Sequence, residues 1–219
     1  KVPEASGQQD VNKNILIAGG GVSGMTAAIE ASKAGYPCTI VEKTAVLGGA
    51  TGQLYKKIPT KAPYADPQDN GVAEMVAAVE ADSNITVCLN STLTKTAGAP
   101  GRFEADISTE SGSTETKTFG AIVQASGFTP YDANNLTEFS YGKSQDVITQ
   151  AELEALAIAA DGGAIKRPSD GKEVTNVTFI QCAGQRSKKE GHLEHCSGYC
   201  CSASIKQAMY FKDQNPDID

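Results

Sequence analysis

Four of the chain's six cysteines and both of its histidines fall between Gln181 and Ala208, in "QCAGQRSKKEGHLEHCSGYCCSASIKQA". Cys182, Cys196, Cys200 and Cys201 follow the pattern C-x13-C-x3-C-C, with His192 and His195 inside the first interval. Thiols and imidazoles at this density can form disulfides, run dithiol chemistry or hold a metal. The C-x-x-C spacing of a redox dithiol is absent. A vicinal Cys200–Cys201 disulfide would be strained and would leave two cysteines without a role. Zinc prefers paired ligand knuckles, and only the Cys196 end resembles one, with the histidines as substitute ligands. A [4Fe-4S] cluster needs four thiolates, one per iron. On residue types alone, zinc and the cluster both stay open. A helix starting near Ser202 would direct N–H groups and a positive dipole end at an anionic cluster. His192 and His195 read as solvated or hydrogen-bonded loop side chains in the charged "SKKEGHLE" context. Cys38 and Cys88 sit inside apolar runs and read as buried side chains.

The second chemical signature is Gly19-Gly20-Gly21-Val22-Ser23-Gly24, a G-x-G-x-x-G sequence. Gly19 permits a tight turn, Gly21 lets backbone approach a pyrophosphate, and Gly24 lets a helix pack on a strand. Val22 and Ser23 lie at the helix start, where free N–H groups attract an anion. Glu42, 18 residues beyond Gly24, ends the next apolar run and is followed by Lys43. A carboxylate there accepts from a ribose 2′-OH and repels a 2′-phosphate, which disfavours NADP.

These residues need elements to position them. "NILIA" reads as a strand, Met25, Ala28 and Ile29 mark a helix closed by Gly35, and "PCTIVE" reads as a strand. "TAVLGGATGQLYKKIPTKAPYADPQDN" is rich in Gly and Pro and reads as loop. "VAEMVAAVEA" predicts a helix and "NITVCLNSTLTKTAG" a strand. "RFEADISTESGSTETKTFGAIVQASGF" predicts strands around a polar turn. "QAELEALAIAA" predicts a helix, "VTFIQCAG" a strand and "SASIKQAMYFKDQ" a helix. The fold class is α/β, a doubly wound Rossmann-like domain with a truncated second α/β unit. The expected organisation is a flexible lead over 1–13, a dinucleotide-binding domain over 14–145, and a partial second unit over 146–219 that carries the cysteines. A strand and a helix cannot bury themselves alone, so the chain reads as a piece of a longer protein.

Across 219 residues, 40% are hydrophobic, 21% are charged and the net charge is -7. The acidic balance argues against nucleic-acid binding and against direct attachment to anionic lipid. No run of 18 apolar residues exists to span a membrane, and the polar start lacks a signal-peptide core. A cytoplasmic location is expected, where thiols stay reduced. Neither a Ser-His-Asp order nor paired carboxylates point to hydrolysis, and no catalytic residue is assigned. Tyr55, Lys56 and Lys57 could face a cofactor or solvent.

Glu42 followed after five residues by Gly48-Gly49, and Ala125-Ser126-Gly127 after an apolar strand, resemble the two-dinucleotide-binding-domain flavoproteins. That resemblance implies FAD at Gly19–Gly24, with Val87 and its neighbours near the adenine. Ser126 replaces the usual Thr and keeps the hydroxyl. "GGGVSGMTAAIEASKAGY", "VEKTAVLGGATGQLY", "QASGFTPYD", "YGKSQDV" and the cysteine segment then resemble the A-type subunits of the heterodisulfide reductases. The likeness extends from Ile15 to Phe211. It is nearest to the flavoprotein subunits of the quinone-interacting membrane-bound oxidoreductase complex of sulfate reducers. It implies that Cys182, Cys196, Cys200 and Cys201 hold a [4Fe-4S] cluster near the flavin, a cluster that an isolated piece can lose. The function implied is electron transfer between FAD and that cluster. The partners implied are iron–sulfur and membrane quinone-interacting subunits, so that the membrane is reached only through them, on its cytoplasmic face. "QCAGQR" stands where a second nucleotide motif would lie but lacks its glycines, which argues against NAD(P). The alternatives are a pyridine-nucleotide–disulfide enzyme and a structural assembly subunit that contains FAD.

Overall fold

The computed structural model of the chain describes residues 11–219. The flexible lead expected over 1–13 falls outside the described residues as far as residue 10. From Asn12 onward the chain is held: its N–H donates to the Gly101 carbonyl at 3.1 Å and its side chain to the Thr118 carbonyl at 3.0 Å.

The described residues form two units. The first runs to Gly52 and resumes over Gly71–Phe128. It opens with β1 (Ile15–Ala18), α1 (Val22–Lys33) and β2 (Cys38–Val41), then α2 (Gly49–Gly52). After the excursion come α3 (Val72–Ala81), β3 (Ile85–Cys88), β4 (Ser91–Ala99), β5 (Arg102–Thr109), β6 (Thr114–Phe119) and β7 (Ala121–Gln124). The parallel sheet has the order β3-β2-β1-β7, with Ile15 facing both Cys38 and Ala121. β1 thus has β2, the next strand in sequence, on one side and β7, the last strand, on the other. This reversal of strand order is where doubly wound sheets bind ligands, beyond their carboxyl ends.

Successive residues of a strand point to opposite faces, and this sheet is covered on both. Ile17, Met25, Ala28, Cys38, Ile40, Val72 and Val79 pack on the helical side. Leu16, Val41, Ala105, Ile107 and Phe119 pack toward the antiparallel sheet β4-β5-β6. Leu16, Ile17, Met25 and Ile40 are fully buried, each worth about 1.5–3 kcal/mol relative to exposure. The single strand expected over "NITVCLNSTLTKTAG" is two, one in each sheet. Asn90 breaks it in the left-handed region at φ 48°, a conformation Asn tolerates. α1 ends as its glycine predicts. Gly35, at φ 86°, donates to the Ser32 carbonyl and Tyr36 donates to the Ala31 carbonyl, a Schellman closure.

The second unit comprises Gln53–Asn70 and Thr129–Asp219. Its helices are α4 (Gln150–Ala160) and α5 (Cys200–Gln214). α4 forms where its sequence predicts a helix, and a Thr149–Glu152 capping box starts it. Leu153, Ala157, Ile165, Tyr210, Phe211 and Ile218 form its apolar centre. The boundaries differ from those expected: the division falls at Thr129 rather than residue 146, and Gln53–Asn70 groups with the later unit. The strand expected over "VTFIQCAG" is also absent. Val177 instead donates to the Asp219 carbonyl, and Asp219 donates back to the Thr175 carbonyl. The described residues of this unit contain isolated bridges and no strand. Without a neighbouring strand, an apolar run has no ladder to join.

Candidate functional site

The glycine site belongs to the first unit. β1 ends at Ala18, and Gly19 turns the chain at φ 114°. A Cβ on Gly19 would meet the Ala125 carbonyl oxygen at 2.3 Å and the Ser126 Cα at 3.2 Å. The ends of β1 and β7 are therefore in backbone contact at the point where strand order reverses. A Cβ on Gly24 would fall 1.9 Å from the Gly19 carbonyl oxygen, so α1 leaves the turn at a closeness only glycine allows. Over Gly21 the nearest atom to such a Cβ is the Gly49 Cα at 3.7 Å. α1 has no side-chain cap at Gly21, which leaves the N–H groups at Val22 and Ser23 directed outward, as an anion site requires.

The Gly48-Gly49 pair closes on this turn. The Gly48 N–H donates to the Gly20 carbonyl at 2.9 Å, and Gly48 bridges Gly21 in parallel. A Cβ on Gly49 would stand 2.9 Å from the Gly21 Cα. Two glycine segments 24 or more residues apart thus meet backbone to backbone.

Glu42 follows β2 and is 7% exposed. One carboxylate oxygen accepts the Gly20 N–H at 2.7 Å, and the other accepts the Thr44 N–H and hydroxyl at 2.9 Å each. Burial pushes its pKa up, but these donors, with Lys43 nearby, outweigh it and hold the carboxyl below its ordinary range. Glu42 therefore binds the glycine turn while ionised. Ser126 is exposed and its hydroxyl accepts from the Gln124 amide at 2.8 Å. Gly127 has a positive φ of 74° with open space around it. Val87 lies inside β3, paired with Ile40 and packed on the helical-side core. Thr44 went unassigned in the sequence. Its position two residues after the strand-ending acid is the signal that marks it.

The cysteine site belongs to the second unit. Cys200 and Cys201 open α5. Cys182 sits in the left-handed region at φ 55°, an uncommon conformation for a residue other than glycine. The Cys182 backbone N–H donates to the Cys200 sulfur and lowers its pKa. Burial opposes this, and the Ser197 hydroxyl and Cys201 add to the lowering. The Cys201 thiol is pushed up by burial, by its contact with Cys200, and by the neighbouring Cys182 and Cys196. Cys196 receives the Gly198 N–H at 3.3 Å. All four thiols thus share one neighbourhood, all are free, and N–H groups point at two of the sulfurs. Among the described residues, no three acidic, histidine or cysteine side chains converge as a metal ligand set. Thiols have the chemistry of iron–sulfur ligands, but these four do not form a converged cage.

Of the two histidines, His192 differs from its expected setting and His195 matches it. His192 is half-buried, and neither ring nitrogen has a hydrogen-bond partner; the Tyr131 ring stands edge-on at 6.2 Å. His195 is exposed. Cys38 is buried as expected, its thiol directed at the Tyr36 carbonyl, whereas Cys88 is half-buried.

A buried polar network in this unit was not assigned from the sequence. Lys206 and Glu154 form an ion pair at 2.8 Å with side chains 2% and 3% exposed. Glu154 also accepts from the Tyr55 N–H, the Gln207 amide and the Tyr210 hydroxyl. Lys206 donates to the Lys56 carbonyl. Burial, then the Glu154 charge, pushes the Tyr210 phenol well above its ordinary pKa. Tyr55 and Lys56 are therefore backbone anchor points within this unit. The available signal was a lysine on the helix face that also carries Ala203, Tyr210 and Phe211.

The parallel sheet, the strand-order reversal and the uncapped glycine turn together define a dinucleotide-binding oxidoreductase domain. The family model described as pyridine nucleotide-disulphide oxidoreductase matches residues 13–159, and the chain belongs to that family. FAD, the expected cofactor of the glycine turn, is consistent with this membership. Among curated proteins, the chain is 26% identical to the A-type subunit of the ferredoxin/F420H2-dependent CoB-CoM heterodisulfide reductase of Methanosarcina acetivorans, over 95% of this chain and 35% of that protein. It is 40% identical to an A-type iron-sulfur subunit of the CoB–CoM heterodisulfide reductase of Methanopyrus kandleri, over 46% of this chain and 16% of that protein. The likeness to the A-type subunits of heterodisulfide reductases expected from the sequence is thereby supported. The chain spans about a third of the length of the first of these relatives. A solved bacillithiol disulfide reductase from Bacillus cereus is similar at 17% identity and a TM-score of 0.46, over 74% of this chain and 61% of that one. No helix among the described residues is long and apolar enough to cross a membrane.

Proposed function

We propose that this chain is the flavin-carrying part of an electron-transfer complex, with FAD at the Gly19–Gly24 turn and a [4Fe-4S] cluster on Cys182, Cys196, Cys200 and Cys201. The observation that carries the reading is the gathering of four free thiols about the first turn of α5, in a chain that also has a glycine turn shaped for a dinucleotide. Bound FAD takes electrons in pairs or singly, and a cluster takes them singly, so the two together convert one mode into the other. The residues supply the rest. The N–H groups at Val22 and Ser23 receive the diphosphate, and Glu42 holds the turn and offers its remaining lone pairs to a ribose. Gly48 and Gly49 keep the approach free of side chains, and Ala125, Ser126 and Gly127 border it across the sheet. Lys43 contributes positive charge, and Val87 lines the strand on the adenine side. At the other site, the Cys182 N–H lowers the Cys200 pKa, and the Gly198 N–H donates to the Cys196 sulfur.

The relatives are named as subunits of heterodisulfide reductases, which supports partner subunits in a redox complex. Iron–sulfur and quinone-interacting partners, a role in sulfur metabolism such as sulfate reduction, and a cytoplasmic location with only indirect membrane attachment are part of the proposal and rest on the sequence resemblance. The deciding experiment is an anaerobic absorption spectrum with iron and acid-labile sulfide counts. Flavin bands accompanied by about four irons per chain are expected. Flavin bands without iron, in protein never exposed to air, overturn the cluster reading.

A second reading has one observation in its favour. The Cys200 thiol is lowered and touches Cys201, as in a dithiol that cycles with a disulfide. It predicts iron-free protein that reversibly releases two thiols on two-electron reduction.

A further inference from the structure

Cys200 and Cys201 are adjacent in sequence, and successive residues of a helix point about 100° apart. Two neighbouring thiols reach one inorganic core only if the peptide plane between them is held at a set tilt. The carbonyl of that peptide is the Cys200 carbonyl, and it has a partner from outside its own helix. The Gln150 amide donates to it at 3.1 Å and, with its second hydrogen, to the Ser204 hydroxyl at 3.0 Å. Both donors of one side-chain amide are therefore spent on the first turn of α5.

Gln150 is itself held. It is the first residue of α4, directly after the Thr149 cap. Its own carbonyl accepts from the Gln207 amide at 2.9 Å, and Gln207 also donates to Glu154 at 2.7 Å. Gln207 is 1% exposed, and Ser204 is 4% exposed. One turn further along, the Glu154–Lys206 pair ties the same two helices. Buried polar groups of this kind must be satisfied in one arrangement or lose stability. These contacts set the α4–α5 register, which brings Gln150 to the Cys200–Cys201 peptide and to Ser204 and Gln207 further along α5.

We propose that Gln150 is the positioning residue for the Cys200–Cys201 pair, orienting their shared peptide so that both sulfurs can serve one iron–sulfur group. This rests on the reading of the four cysteines as cluster ligands. Gln150 touches no sulfur. It acts through the Cys200 carbonyl, as hydrogen-bond partners of metal ligands do elsewhere.

The test compares the full chain with Gln150→Leu and Gln150→Glu, each reconstituted anaerobically with ferrous iron and sulfide and then desalted. Gln150→Leu removes both donors. Gln150→Glu keeps the shape, loses the amide hydrogens and adds a carboxylate that suits the start of a helix. The readouts are iron and sulfide retained per chain, the electron paramagnetic resonance spectrum after dithionite reduction, and the melting temperature of the metal-free protein. The expected result is a loss of iron retention on the order of 10-fold, or an altered spectrum of what remains, with melting of the metal-free Gln150→Glu protein near that of the parent. If Gln150→Leu fails to fold, Gln150→Glu carries the comparison. Variants that retain iron with the parent's stoichiometry and spectrum overturn the role of Gln150 while leaving the cluster reading intact. A parent chain that takes up no iron at all overturns both.

Discussion

The glycine turn and the cysteine segment are built from opposite materials. At Gly19–Gly24, side chains are excluded and backbone does the work: strand ends touch, helix N–H groups stay uncapped, and a second glycine pair closes the turn. At Cys182–Cys201 the functional atoms are side chains carried on a loop and one helix start, steadied by N–H groups, the Ser197 hydroxyl, the Gln181 side-chain oxygen and the Gln150 amide. A backbone-built site is made when the sheet and helix form. A thiol-built site is drawn together by its ligand, because four sulfurs without a metal have no attraction that would hold them in a cage. The first region is thus complete in the bare chain, whereas the second is gathered without converging.

That contrast can be broken at several points. The largest expected effect is at the network behind the cysteine helix. Lys206→Met leaves Glu154 buried without its counter-charge and should cost about 3–5 kcal/mol in chemical denaturation, whereas replacing both partners by apolar residues should recover most of it. A cheap Lys206→Met would mean that buried charge does not hold α4 to α5. Next is Gly24→Ala. With backbone 1.9 Å from the new Cβ, it should cost about 3 kcal/mol and abolish flavin retention after gel filtration. A flavin-loaded Gly24→Ala protein would show that the turn is not backbone-limited.

The third concerns Glu42. Its folded-state pKa lies below the unfolded one, so its contribution is complete above about pH 4.3 and disappears as pH falls through the lower, folded value. The melting difference between the parent and Glu42→Gln should be largest near neutrality and close below that window. A pH-independent difference would remove ionised Glu42 from the turn. The smallest effect is at the exposed cysteines. Cys196→Ser and Cys201→Ser should shift the stability of the metal-free chain by no more than about 0.5 kcal/mol yet abolish iron retention. A large loss of apo stability would mean that the segment is already a formed site.

Several features were legible in the sequence because they are local. Gly35 closes α1, Gln150–Ala160 forms α4, and Val72–Ala81 forms α3, each set by residues within a few positions of one another. The α5 face was not legible in the same way. Ile205 is 65% exposed while Lys206 and Gln207 are 3% and 1% exposed, because a buried counter-charge and amide partners reverse the usual preference. The run "VTFIQC" has strand composition without a strand to join, so composition misled there.

By itself the sequence determined the glycine turn, its acid and the four thiols, since steric freedom at glycine and the chemistry of sulfur belong to single residues. Tertiary structure alone decided that Gly48 meets Gly21, that Gly19 abuts Ala125, that Tyr55 and Lys56 hang from a buried ion pair, and that Gln150 reaches the Cys200 carbonyl. Each of these joins residues far apart in the chain through a few ångströms of backbone or a buried hydrogen bond. Such a contact exists only once the apolar cores have set where the elements lie.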